Sequence, residues 1–351
     1  MMNKVRFSIR ILSLGIFTSW AFLSMAQPKD ETTEIKRIWD RGGHNAFTDI
    51  TYFKQKLYIV FREGDGHIPN KDNTGNGIIR VLSSTDGEFW ESVTAIELNG
   101  IDLRDPKISV TPKKRMMIVM GGSKYDKQEL QSLSTYVSMS DPNGTKFSEP
   151  EPIDLDERIK SDFDWLWRVT WKDKTGYGVV YQANVDGEKG KSKAYLVKTE
   201  KGYEYELVTE LDIDGNPNEA TIRFLSGSEM MMVIRRGGDD RLGMMGTSKP
   251  PYNEWSWEKL DFQLGGPNFD IIPIDKILIG TRIYSEEGPY TALMLGKKGE
   301  EFKEVMRLPS GGDTSYPGMF SIGGYVWMSY YSSHEGKASI YYARIPYSEL
   351  K

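Results

Sequence analysis

Short apolar and β-branched runs alternate with polar residues along the whole chain, and they come in pairs around turns. Residues 50–53 (ITYF) and 57–61 (LYIVF) flank Lys54-Gln55-Lys56, the pattern of an antiparallel hairpin. A second, more polar hairpin follows in most units, as at residues 78–82 before Asp86-Gly87 and residues 241–247 before Pro250-Pro251. No heptad and no long helical period interrupts this order. Strand groups fall at residues 50–93, 107–153, 168–211, 220–261, 270–309 and 316–345. Four strands in a unit of about fifty residues predict an all-β, six-bladed β-propeller. The last group is one strand short. Residues 34–41 are expected to supply it, closing the ring and removing the free sheet edges.

Each unit opens on a short polar or aromatic run: HNAFTD (44–49), RDP (104–106), WLWR (165–168), NEA (218–220), NFD (268–270) and TSYP (314–317). Inner strands of a propeller start at one face, so these runs are expected to meet around one basin. The starts contribute Asp49, Asp105, Trp167, Arg168, Glu219, Asp270 and Tyr316, and the ends of the second strands contribute Arg62, Gln182, Arg235, Arg236, Arg282 and Tyr330. Any one arginine could tie blades together through a neighbouring acid. Several aimed at one place repel one another and lose hydration, a cost that an anion offsets, so the basin points to a carboxylate-bearing ligand. Trp165 and Trp167 could stack on a sugar or pack in the core. His44 and His67 fall near the open face of the first blade, where a group titrating near neutrality can serve as acid or base. Histidine beside arginine also suits proton abstraction next to a uronic acid carboxylate, a second reading.

Composition narrows the class. The chain has 351 residues, and its formal charge of −5 becomes −8 once the three cations Lys4, Arg6 and Arg10 are removed, which argues against a nucleic-acid partner. Those three precede an apolar stretch at residues 11–23 and Ser24-Met25-Ala26, so residues 1–26 are expected to be a secretory signal peptide and residues 27–351 a single domain. A periplasmic or secreted location follows, with no integral membrane segment after cleavage. There is no cysteine, hence neither a lipid-anchoring cysteine nor a disulfide. Residues 212–218 (DIDGNPN) alternate oxygen ligands but place glycine fourth rather than sixth, which makes them a turn rather than a calcium loop. No phosphate loop, nucleotide fingerprint or zinc spacing occurs, and neither a metal nor a cofactor is expected.

Residues 218–224 (NEATIRF), the run ending in Arg235, Gly280-Thr281-Arg282 and Thr314-Ser315-Tyr316 resemble the bacterial sialidases, the Asp-box family of six-bladed propellers. Residues 84–90 (STDGEFW) resemble a shortened Asp-box, a structural turn. The resemblance implies a glycoside hydrolase in which Tyr316 is the nucleophile, Glu219 its base, and Arg235 and Arg282 clamp a substrate carboxylate. Sialic acid carries that carboxylate on its anomeric carbon, where an anionic nucleophile would be repelled; a tyrosine relieved of its proton by a glutamate avoids the clash. The first-strand arginine of sialidases is replaced here by residues 44–49 (HNAFTD), and Arg62 is the expected substitute. For the acid/base role, placed in sialidases after the first hairpin, Asp65 is the first candidate and His67 the next. Arg168, Asp105, Asp270, Trp167 and His44 complete the expected substrate-binding set. The implied activity is cleavage of sialic acid or another acidic glycan; the alternatives are a uronic-acid lyase or a propeller that only binds an anionic glycan.

Overall fold

The computed structural model describes residues 32–238 and 240–351; the expected signal peptide lies outside them. Six sheets follow one another in chain order. The first blade runs outward through His44–Phe53, Lys56–Gly64, Ile78–Ser84 and Glu91–Ile96. The second comprises Asp102–Val110, Met116–Asp126, Glu129–Met139 and Glu151–Pro152, and the third Asp164–Lys172, Thr175–Ala183, Ser192–Thr199 and Glu204–Glu210, with Asp154–Leu155 added in parallel. Pro217–Phe224, Met230–Arg236, Leu242–Ser248 and Ser256–Gln263 make the fourth, and Asn268–Ile272, Lys276–Ser285, Gly288–Gly296 and Lys303–Arg307 the fifth. The sixth contains Thr314–Ile322, Tyr325–Ser332 and Ser339–Pro346. Its outer strand is Glu34–Trp39, antiparallel to Ser339–Pro346, so the N-terminal segment closes a six-bladed β-propeller. Among the described residues no helix is long and apolar enough to cross a membrane.

Blade stacking explains the continuous apolar run at residues 57–61. In a strand, successive side chains leave opposite faces. Leu57, Ile59 and Phe61 therefore pack against Tyr331, Ile340 and Tyr342 of the sixth blade, while Tyr58 and Val60 pack against Leu103, Ile118 and Met120 of the second. Both faces are buried, so alternation disappears. Met116–Asp126 repeats the device: Ile118 and Met120 face the first blade, and Met117 and Val119 face Leu166 and Val180 of the third. The Asp-box-like segment is a turn, in which Glu88 N–H and Phe89 N–H donate to Asp86 Oδ1 at 2.8 and 3.1 Å. Its Trp90 packs on Tyr342, 5.4 Å between ring centroids.

The inner strands differ from the sequence expectation in where they begin. The apolar pattern starts them after the opening runs; the structure starts them earlier, at His44, Asp102, Asp164, Pro217, Asn268 and Thr314. In five of the six, all but NFD, the added residues carry a bulge. Pairing with the second strand shifts between Ala46 and Asp49, Arg104 and Lys107, Leu166 and Val169, Pro217 and Ala220, and Ser315 and Gly318. A bulge breaks the two-residue period and re-aims a side chain. Here it turns Phe47, Asp105, Trp167, Glu219 and Tyr316 into the channel mouth.

Candidate active site

A cavity of about 400 Å³ occupies that mouth, and those five bulge residues line it. Phe47, Asp105 and Tyr316 hold φ of 63°, 47° and 51°, a left-handed conformation that non-glycine residues rarely adopt. Tyr316 Oη donates to Glu219 Oε1 at 2.6 Å, and Arg235 Nη1 donates to the same oxygen at 2.9 Å. Glu219 Oε2 accepts from the Gly266 N–H at 2.9 Å. Burial works against the charged form of Glu219, but Arg235 and the bond from Tyr316 outweigh it and hold the carboxyl below its ordinary value. Burial, then Glu219 and Asp105, push the Tyr316 phenol well above its ordinary value. At neutral pH the pair is therefore phenol and carboxylate, with the proton held on Tyr316 Oη along a short bond to Glu219.

Three arginines surround the pair. Arg235 and Arg282 come from the second strands of the fourth and fifth blades, and Arg104 from the strand just before the bulge at Asp105. Arg104 was not among the expected site residues. Its signal is the RDP run itself, where the residue preceding the bulge also reaches the mouth. Arg104 Nη1 donates to Tyr125 Oη at 3.0 Å, and its guanidinium lies 5.2 Å from the Phe47 ring centre. Arg282 Nε and Asp105 Oδ1 are buried without a hydrogen-bond partner among the described residues. Trp165, Trp167, Tyr125 and Tyr181 form the wall on the second and third blades, with Trp165 stacked on Tyr181 at 6.0 Å.

Other expected residues lie elsewhere. Arg62 is fully buried, its Nε and Nη2 donating to Asp102 Oδ1 at 3.0 and 2.7 Å. It leaves the cavity because the inward side of its strand end faces the second blade. Asp102 Oδ2 in turn accepts from Arg104 Nη1 at 3.3 Å, so Arg62 braces the arginine that occupies the mouth. Arg168, next to the bulged Trp167, points further along the channel and donates to Asp49 Oδ2 at 2.6 Å. Asp270 sits 3.8 Å from Arg223, and these two line a separate cavity with Arg168, because the fifth blade has no bulge to turn Asp270 toward the mouth. Asp65 is exposed in the loop after the first hairpin and does not line the cavity.

That loop does bring His67 to the cavity. His67 Nδ1 lies 3.5 Å from Asp313 Oδ2, and His44 Nε2, buried behind, lies 2.8 Å from the same oxygen. Tyr331 Oη donates to Asp313 Oδ1 at 2.7 Å. Although burial opposes it, these partners hold the Asp313 carboxyl far below its ordinary value. The three ligand atoms lie within 4.8 Å of one another, close enough for a divalent cation. Yet His67 Nε2 faces Arg104 Nη2 at 3.4 Å, and arginine only donates. Nε2 therefore accepts and the ring proton sits on Nδ1, the nitrogen a metal would need. The hydrogen bonding suits an imidazole that moves a proton.

No family model and no curated protein matches the chain. Solved structures do. A Dyadobacter fermentans protein of unknown function aligns at TM-score 0.74 and 16% identity, over 89% of this chain and 97% of its own. Trypanosoma rangeli sialidase aligns at TM-score 0.68 and 11% identity over 91% of this chain, which spans 60% of that protein's length. An α-L-arabinofuranosidase of Fusarium graminearum, bound to an iminosugar inhibitor, aligns at TM-score 0.68 and 12% identity over 90% of this chain and 98% of its own. At these identities the likeness is one of fold, the six-bladed propeller.

Proposed function

We propose that the chain is an exported glycoside hydrolase that acts on a sugar bearing a carboxylate, sialic acid being the first candidate. The observation that carries the reading is the Tyr316 hydroxyl 2.6 Å from a Glu219 carboxylate, within a mouth lined by Arg104, Arg235 and Arg282. Kinship of fold with a sialidase and an arabinofuranosidase supports it. The arginines hold the substrate carboxylate through charge-assisted hydrogen bonds. Tyr316 Oη attacks the anomeric carbon as its proton passes to Glu219, and the glycosidic C–O bond breaks. Once Arg104 turns from His67 Nε2 to the substrate carboxylate, that nitrogen faces the departing oxygen, and His67, steadied by Asp313, gives it a proton. In the second half His67 takes a proton from water, the water oxygen attacks the anomeric carbon, and the Tyr316 bond breaks as Glu219 returns the proton. Each step conserves the proton count, and the first blade supplies the acid/base through His67 rather than Asp65.

The test is release of the fluorophore from 4-methylumbelliferyl α-sialoside by the purified protein. Turnover that disappears in Tyr316→Phe supports the reading. An inert wild type that instead yields an unsaturated product from a uronic-acid glycan would assign the pocket to a lyase.

A further inference from the structure

Lys107 is a buried charge that the site described above leaves unexplained. It follows the bulge at Asp105, is 3% exposed, and makes no ion pair among the described residues; its one hydrogen bond, to the Pro106 carbonyl, is long at 3.4 Å. An ammonium has three donors, and a fold that buries one so poorly satisfied gives up stability. What the ammonium does touch is aromatic. It lies 4.4 Å from the Trp167 ring centre and 5.5 Å from that of Tyr316.

We propose that Lys107 is a positioning charge for Tyr316, set against the ring of the nucleophile so that it stabilises the negative charge the phenol gains as its proton leaves for Glu219. A cation at a ring face is held by the ring's electron density, and that density rises when a phenol becomes phenolate. The attraction is thus stronger in the ionised, attacking form than in the resting phenol, which is the condition for accelerating a reaction. The charged groups facing Lys107 are Asp105 on its own strand, Asp49 of the first blade, Arg168 of the third and Glu219 of the fourth. Burial pulls the ammonium down to about 8, Arg168 adding to the fall and the three carboxylates opposing it. The charge is therefore present at neutral pH and is lost as pH rises through that value. Lys107 does not line the cavity, so it acts through Tyr316, and its role rests on Tyr316 being the nucleophile.

The experiment needs no substrate, so its failure is separate from a failure to find turnover. Tyr316 is acetylated with N-acetylimidazole at neutral pH and followed by peptide mass spectrometry, with Tyr316→Phe as the blank. In this reaction Tyr316 Oη bonds to the acyl carbon, the phenol proton passes to Glu219, and imidazole leaves with a proton from solvent. Lys107→Met keeps the length and packing without the charge and is expected to slow labelling about tenfold, while Lys107→Arg keeps most of the rate. The ratio of wild type to Lys107→Met should fall toward one between about pH 6.5 and about pH 9.5, across the Lys107 titration. Removing a poorly paired buried charge should leave Tm unchanged or raise it. Equal labelling of wild type and Lys107→Met at neutral pH, a ratio that ignores pH, or a fall in Tm of more than about 5 °C, the mark of a structural lysine, would each overturn the proposal.

Discussion

Two arginines show how far one residue type can diverge in role. Arg62 is sealed between the first and second blades on Asp102, whereas Arg282 borders the cavity with a buried Nε that has no partner among the described residues. Removing one member of a buried ion pair leaves the other charge stranded. Arg62→Ala is therefore expected to cost about 3 to 5 kcal/mol of stability in a denaturant titration. Arg282→Ala should leave the unfolding midpoint unchanged and weaken a carboxylate sugar, with no effect on a neutral one, by about 2 to 4 kcal/mol in calorimetry. The Glu219–Tyr316 pair carries a pH signature. The proposed reaction needs Glu219 ionised, and its folded-state value is depressed, so the base form persists into mild acid. The acid limb of kcat/KM assigned to Glu219 should lie below the ordinary carboxylate range. A limb near neutrality that vanishes in Glu219→Gln would contradict this.

At the level of elements, the inner-strand bulge is the unit that makes the site. It explains what could be read from sequence. The repeat, the turns and the burial of both faces of strands such as Lys56–Gly64 leave a direct apolar signature, so the six blades and the closing N-terminal strand were legible. Glu219 and Tyr316 were legible as convergent residues because their opening runs lie at one end of a strand. Whether a given side chain turns into the mouth depends on pairing register, which the apolar pattern does not encode. For that reason the sequence does not single out Arg104, and Arg168 and Asp270, expected at the mouth, turn instead to Asp49 and Arg223. Arg62 was misplaced because its partner, Asp102, lies in another blade. The Gly265-Gly266 loop supports the same unit. Gly266 has φ of 60°, and a Cβ there would sit 2.7 Å from Tyr316 Cγ. Gly266→Ala should displace the Tyr316 ring and cut kcat about a hundredfold, measured with the best substrate found. Wild-type kcat in that variant would mean that the ring position is not critical.

Across the whole molecule, closure replaces covalent bracing. The chain has no cysteine, and the ring is completed by Glu34–Trp39 on Ser339–Pro346, fastened by an ion pair of 2.6 Å between Arg344 and Glu34. Starting the chain after residue 41 would expose the edge of Ser339–Pro346, and Tm should fall by on the order of 10 °C with a tendency to associate. An unchanged Tm would show that the ring holds without its closing strand. Closure also fixes the site: Tyr316 stands on the sixth blade, Glu219 on the fourth and His67 on the loop of the first, so the proposed chemistry exists only in the assembled ring. The most direct test of that chemistry is to incubate the protein with 2,3-difluorosialic acid, whose fluorine slows breakdown of a glycosyl-enzyme, and to locate the adduct by peptide mass spectrometry. The account predicts one fluorosialyl group on Tyr316, absent from Tyr316→Phe; an adduct on any other residue, or turnover of an aryl sialoside with no trapped adduct, would contradict it.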